Sequence, residues 1–243
     1  MDKPRLLVTR FAEDAQRLAN ILNSHGIFSI AQPLLGVRKS TEFNNVSFMF
    51  TNSYDYIIAI SVNAVNYTEQ ALSRKEWPVS CYLAVGKTTQ TALIKVTGQA
   101  VITPERRFSS EGLLDLPCMK VLTGKKILIL RGVGGREFLA QNLTERGAEV
   151  KYYQPYQRFA LNLNGELLVQ QWQRQCINGA IISSGELLER LLTLVPKNKL
   201  DWLKTLTIYV PSTRLAEQAR CCGWYYVQVF PGVQDDQILN YFK

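Results

Sequence analysis

Ile127–Phe159, ILILRGVGGREFLAQNLTERGAEVKYYQPYQRF, opens with a four-residue apolar run short enough to be a buried parallel strand. Arg131 and a Gly-rich turn (Gly132, Gly134, Gly135) follow. A helical pattern then places Phe138, Leu139 and Leu143 on one face, Gly147 stops it, and Val150–Tyr153 starts a second strand. This is one βαβ unit. The same unit recurs as RLLVTRFAEDAQRLANILNSHGIFSIAQPLLGV from Arg5, with Arg10 and Gly26 at the same spacing as Arg131 and Gly147.

The likeness between the halves continues downstream. DYIIAIS ending at Ser61 matches NGAIIS ending at Ser183, and Val85–Gly98 matches Val210–Gly223 in length and in strand–turn–helix–Gly form. The offset is about 121 to 125 residues throughout, roughly half the chain. The sequence therefore reads as a tandem duplication of an α/β half. Strands and helices alternate nearly everywhere, which predicts parallel sheets covered by helices on both faces. Strands are expected at 5–9, 27–32, 56–60, 80–85, 100–102, 127–130, 149–153, 179–182, 206–210 and 226–230. Helices are expected at 12–24, 63–73, 88–97, 110–116, 135–146, 164–175, 185–194, 213–222 and 235–242.

Two segments, Pro33–Asn45 and Gln154–Asn164, read as connectors at equivalent places in the two repeats. If each crosses between domains, residues 1–35 and 165–243 make one domain and 46–152 the other. Residues 36–45 and 153–164 are then linker strands, and the two crossings form a hinge over a cleft.

Composition narrows the function. Of the 243 residues 47% are hydrophobic, ample for a buried core, and no apolar run approaches the 18 residues of a membrane span. MDKPRLLVTRF lacks the apolar region of a secretory signal, so a cytoplasmic protein is expected. The five cysteines are odd in number and lack CxxC spacing, which predicts reduced, mostly buried thiols; Cys221-Cys222 reads as a helix end before Gly223. The net charge of +8 is scattered, with no nucleic-acid-binding motif, and suits a small polyanion or ordinary surface charge.

Familiar catalytic motifs fail on inspection. GKTT at 86–89 lacks the P-loop's first glycine, since Cys81 stands there; GVGGRE at 132–137 has Glu137 where a dinucleotide fold needs glycine. The single histidine, His25, reads as a helix C-terminus, and no metal-ligand cluster is expected. What recurs is a hydroxyl at a strand end before a helix: Thr9, Ser61 with Asn63, Thr88 and Thr89 after Gly86, Ser109 and Ser110, Ser183 and Ser184, Ser212 and Thr213. Each reads as an N-cap worth about 1 kcal/mol. Together they set free amides and positive dipole ends at the carboxyl edges of two sheets, where α/β folds bind ligands. Tyr153 reads as core, whereas Tyr156, after Pro155, reads as lying beyond the strand, where its phenol can donate a proton.

In order and spacing these motifs resemble the uroporphyrinogen-III synthase family. The resemblance runs through LLVTR at 6–10, Ser61-x-Asn-Ala-Val, AVGKTT at 84–89, Ser109-Ser-Glu-Gly-Leu-Leu, LRGVGGRE, RGAEV, YQR at 156–158, IISS at 181–184 and VPSTRLAEQA at 210–219. It implies two flavodoxin-like (Rossmann-type) domains joined by a two-stranded linker. It implies a cofactor-independent monomer acting on hydroxymethylbilane, a linear tetrapyrrole polycarboxylate. The hydroxyl is lost as water, the last ring is inverted through a spiro intermediate, and the macrocycle closes. Tyr156 matches the family's linker tyrosine, implied to be the proton donor. The residues expected to meet substrate are Arg10, Ser61, Asn63, Gly86, Thr88, Thr89, Ser110, Arg131, Gly132, Gly134, Ser183, Ser184, Ser212 and Thr213. Pro211 and Arg214 depart from the pattern, since Pro211 has no amide to donate. A two-domain anion-binding module without catalysis is the competing reading.

Overall fold

The computed structural model describes residues 3–73, 75–230, 232 and 234–243; Met1, Asp2, Arg74, Pro231 and Val233, though inside or beside the expected domains, lie outside the described residues. The chain forms two compact units. One comprises the segments up to Gly36 and from Phe159 onward; the other is Val37–Arg158.

The first unit is built on β1 (Arg5–Val8), β2 (Phe28–Ala31), β9 (Gly179–Ile181), β10 (Thr207–Val210) and β11 (Val227–Val229). They lie in the order β11-β10-β9-β1-β2, every pair parallel. Strand alternation sorts β1 between two cores. Leu6 and Val8 face α1 (Ala12–Ser24) and α11 (Asp235–Phe242), packing with Leu18, Leu22, Phe230 and Ile238. Leu7 faces the opposite layer, α7 (Gly165–Arg174), α8 (Gly185–Leu194), α9 (Leu200–Thr205) and α10 (Thr213–Cys221), among Trp172, Leu188, Leu203 and Leu215. Counting strands along the chain, the spatial order is 2-1-3-4-5, that of the flavodoxin type, with its switch point between β1 and β9.

The second unit holds β4 (Tyr56–Ala59), β5 (Cys81–Ala84), β6 (Val101–Ile102), β7 (Lys126–Gly132) and β8 (Glu149–Ala160), with β3 (Leu35–Lys39) beside β8. Its sheet order is β3-β8-β7-β4-β5-β6, parallel from β8 through β6. Strand for strand, β8-β7-β4-β5-β6 repeats the arrangement β2-β1-β9-β10-β11, except that the βαβ pair now comes last in the chain. Ile57, Tyr82, Leu128 and Leu130 pack against α3 (Val62–Leu72) and α4 (Lys87–Thr97). Ile58, Leu83, Ile127 and Ile129 face α5 (Ser110–Asp115) and α6 (Phe138–Glu145).

Several expectations need correction. Within 33–45 the strand is Leu35–Lys39, β3, and the segment does not stay extended to its end: a 3-10 turn spans Phe43–Asn45 before α2 (Val46–Phe50). Neither α2 nor α9 was expected, because such short helices carry little periodic pattern and neither has the side-chain cap that marks α5. The helix expected from 135 begins at Phe138, since Gly134 and Gly135 have φ of +76° and +97° and hold the chain in a turn. The cysteines are more exposed than expected: Cys176 and Cys221 are open to solvent and the other three are partly buried. Cys176 sits in the turn after α7 and Cys221 in the last turn of α10, positions the core does not reach. Cys222 does form the helix end before Gly223. His25 is likewise the residue that ends α1, its Nδ1 2.9 Å from the Ile21 carbonyl.

The largest correction concerns β8. It runs through Pro155 to Ala160 rather than ending near Tyr153. Leu130 pairs with Tyr153 and Gly132 with Tyr156, so two steps along β7 match three along β8. The extra residue is a β-bulge at Gln154–Pro155, where a proline without a ladder N–H is tolerated. The bulge also breaks the two-residue alternation, so Tyr153 and Tyr156, three apart, both enter the same core.

Candidate functional site

In parallel sheets, every strand-to-helix turn lies at the carboxyl edge, and these turns carry the hydroxyls. In the second unit the turn after β4 carries Ser61, whose Oγ accepts from the Ala64 amide at 3.1 Å and so caps α3. Asn63 follows, partly buried, in the first turn. After β5 the cap is Gly86, which offers no side chain. Thr88 and Thr89 are therefore inside α4 rather than caps, Thr88 exposed and Thr89 buried. Ser109 caps α5, with Ser110 the first helical residue, and Ser109 also hydrogen-bonds Glu111, holding that carboxyl below its usual range.

At the end of β7 the buried Arg131 turns back on its own loop. Its guanidinium donates to the carbonyls of Gly134 and Arg136 and to Glu137 Oε1 (3.2 Å), and lies 4.8 Å from the Tyr152 ring centre. Tyr152 donates to Glu137 Oε2 at 2.5 Å; burial and that carboxylate push its phenol up to about 12. Arg131, expected to meet substrate, is thus bonded to the carbonyls and carboxylate of the 132–137 turn. Gly132 pairs with Tyr156 and is the close-approach point of the site: a Cβ there would lie 2.7 Å from Tyr156 Cζ and 3.0 Å from its Oη.

Tyr156 is 5% exposed and lies within β8, which continues without a break from the strand expected to end at Tyr153 into the segment expected as a linker strand. Its Oη is 3.0 Å from Ser61 Oγ, at the switch point between β7 and β4. Tyr67, from α3, stacks on it with ring centres 5.5 Å apart, and burial raises the Tyr67 phenol above its ordinary range. Ser61, Gly132 and Tyr156 thus meet at one point, while Thr88 and Ser110 lie on separate turns of the same edge.

The first unit repeats the edge with different partners. Ser184 caps α8 through the Leu187 amide (3.3 Å), and Ser212 caps α10 through Leu215 (3.4 Å). Ser183 precedes its cap and is partly buried, Thr213 and Arg214 begin α10 exposed, and Pro211 leaves β10 without an amide to offer. Thr9 is not a cap: fully buried, it donates across the sheet to the Ile181 carbonyl at 2.8 Å, and Phe11 stands at the start of α1. Arg10 is paired with Asp235 at 2.6 Å, and Arg17 takes the second oxygen of the same carboxylate at 2.7 Å. Sequence reasoning missed Asp235, Glu137, Tyr152 and Tyr67. Only Tyr67 carried a local signal, an aromatic on the helix that Ser61 starts.

Among the described residues no cluster of three or more His, Cys, Asp or Glu is placed to hold a metal, and no helix is long and apolar enough to cross a membrane.

The family model described as uroporphyrinogen-III synthase HemD matches residues 16–237. The chain belongs to the uroporphyrinogen-III synthase family. It is 34% identical to the uroporphyrinogen-III synthase of Escherichia coli K12, over 97% of this chain and 98% of that one. With its Salmonella typhimurium counterpart it shares 35%, again over 97% and 98%. Among solved structures, a uroporphyrinogen-III synthetase of Helicobacter pylori is similar with a TM-score of 0.65 at 13% identity, covering 98% of this chain and 97% of that one. A mutant uroporphyrinogen III synthase of Thermus thermophilus gives 0.62 at 16%, with the same coverage. At such identities these two likenesses speak for the fold, and the sequence relatives speak for the family.

Proposed function

We propose that this chain is a uroporphyrinogen-III synthase, a cyclising lyase that converts hydroxymethylbilane to uroporphyrinogen III with loss of water and inversion of the last ring. The observation that carries the reading, beside family membership, is the Tyr156 phenol held 3.0 Å from Ser61 Oγ at the switch point of the second unit's sheet. A buried phenol at that edge is suited to protonate a leaving hydroxyl. In this reading Tyr156 gives its proton to the bilane's hydroxymethyl oxygen, the C–O bond breaks, and water departs. The methylene cation left behind is attacked by the substituted carbon of the last ring. The resulting spiro intermediate breaks that carbon's bond to its original methylene, and the methylene cation so released is captured by the ring's unsubstituted α-carbon. The ring carbon that forms the final bond then releases a proton, which restores the phenol.

Beside Ser61 and Tyr156 in the second unit, the amides and positive ends of α3 and α4, with Thr88 exposed, suit the substrate's carboxylates. Such donors act without metal, nucleotide or other cofactor, and the scattered net charge of +8 draws in the polyanion. The enzyme of this proposal works as a cytoplasmic monomer on a small molecule, without nucleic acid or membrane as partner.

The test is an assay on freshly generated hydroxymethylbilane, with the oxidised porphyrin isomers separated by chromatography. Type III product, made at an unchanged rate in the presence of a chelator, is the expected result. Type I product alone, as forms without enzyme, overturns the reading in favour of an anion-binding module. Because the ligand is highly charged, KM is also expected to rise severalfold between roughly 50 mM and 500 mM salt as charges are screened. Steady-state rates across that range check this, and a KM indifferent to salt counts against carboxylate recognition.

A further inference from the structure

We infer that Ser61 is a positioning residue for Tyr156, the donor that holds its oxygen during proton transfer, rather than a ligand for a substrate carboxylate. This rests on the reading of Tyr156 given above. Ser61 Oγ has two fixed neighbours. The Ala64 amide donates to it at 3.1 Å, which uses one acceptor site and fixes the rotamer, and Tyr156 Oη lies at 3.0 Å. With the amide fixing its oxygen, the serine's hydrogen is free to point at Tyr156. A serine that donates to the phenol leaves the phenolic hydrogen available to the substrate. When that hydrogen moves to the leaving hydroxyl, the phenolate that remains still accepts from Ser61, and the α3 N-terminus behind the serine favours the negative charge.

Two further contacts fix the phenol where the serine meets it. Gly132 permits the ring to approach β7, and Tyr67 stacks against its other side. Burial and the neighbouring Tyr156 both raise the Tyr67 phenol. Ser61 thus couples a helix cap to an acid: one oxygen, held by backbone, aims another.

A capping serine also contributes to stability, so loss of rate in one variant is not sufficient. The test is a double-mutant cycle on kcat, with Ser61→Ala, Tyr156→Phe and the pair, completed by Ser61→Thr and Ser61→Asp. Ser61→Ala is expected to lower kcat about tenfold to a hundredfold with KM changed less than threefold, as when one donor to a developing anion is removed. In the Tyr156→Phe background the same substitution should lower kcat no further, because the group it acts through is gone. Ser61→Thr, which keeps the hydroxyl, should recover most of the rate. Ser61→Asp keeps the cap but cannot donate, and should be as slow as alanine while remaining folded. Equal fractional losses in both backgrounds, a full rate in Ser61→Ala or Ser61→Asp, or a loss expressed in KM alone would each overturn the assignment. If Tyr156→Phe itself retains full rate, the reading of Tyr156 fails; if wild-type protein makes no type III product, the synthase reading fails.

Discussion

Tyr156→Phe is expected to lower kcat about a hundredfold, the usual contribution of a positioned general acid, while KM for the bilane changes by less than about threefold. The substitution removes one oxygen and leaves the ring, which is what packs among Leu128, Leu130 and Tyr153. Ser61 keeps its bond from the Ala64 amide, so the start of α3 is preserved. The folded state therefore loses one hydrogen bond, at a cost of about 1 kcal/mol, and an unfolding curve should show little else. Steady-state kinetics on freshly made hydroxymethylbilane separate the two effects. A kcat within threefold of wild type would remove the phenol from the proton transfer.

Gly132→Ala should be comparably damaging for a different reason. The backbone there is not in the left-handed region; the difficulty is that a methyl would meet the Tyr156 ring at 2.7 to 3.0 Å along its Cζ, Cε2 and Oη. The ring is enclosed by core, so it has to rotate or carry β8 with it, at a cost of about 1–3 kcal/mol as in other overpacked cores. A displaced phenol no longer lies at hydrogen-bond distance from Ser61, and about 1 Å of misplacement is enough to cost on the order of a hundredfold in rate. We expect kcat to fall about a hundredfold and Tm by several degrees. In a Tyr156→Ala background, where there is no ring to meet, the added methyl should cost almost no stability. Wild-type kcat in Gly132→Ala would show that the close approach has no bearing on turnover.

How much of this was legible in the sequence depends on the range of the interaction concerned. The apolar runs that became β1, β4, β5, β7, β9 and β10 announced parallel strands, because residues buried on both faces leave a continuous apolar signature. Ser61, Ser109, Ser184 and Ser212 were legible as caps because a cap bonds an amide three residues on. Thr9 sits in the same strand-to-helix context but bonds Ile181, 172 residues away, which no local pattern can disclose. The Arg10 partner was hidden in the same way, since Asp235 is 225 residues away, whereas Glu137 is only six residues from Arg131 and went unnoticed because it read as a helix residue. Pro155 was the misleading signal. Proline ordinarily ends a strand, so Tyr156 read as a linker residue. Only the register against β7 reveals a bulge that absorbs the proline and returns the next tyrosine to the core.

The position of the βαβ pair in each sheet sets the order in which the chain can fold during synthesis. The second unit is contiguous, and all its strands have emerged once β8 leaves the ribosome. The first unit begins earlier and finishes last: β1 lies inside its sheet, yet its neighbour β9 starts at Gly179 and the outer strand β11 ends at Val229. At about 5–20 residues per second, β1, α1 and β2 wait roughly ten seconds for β9, the strand that pairs with β1 on its other side, and for α11, which completes the layer over Leu6 and Val8. For that interval β1 and β2 lack the parallel neighbour that completes their sheet.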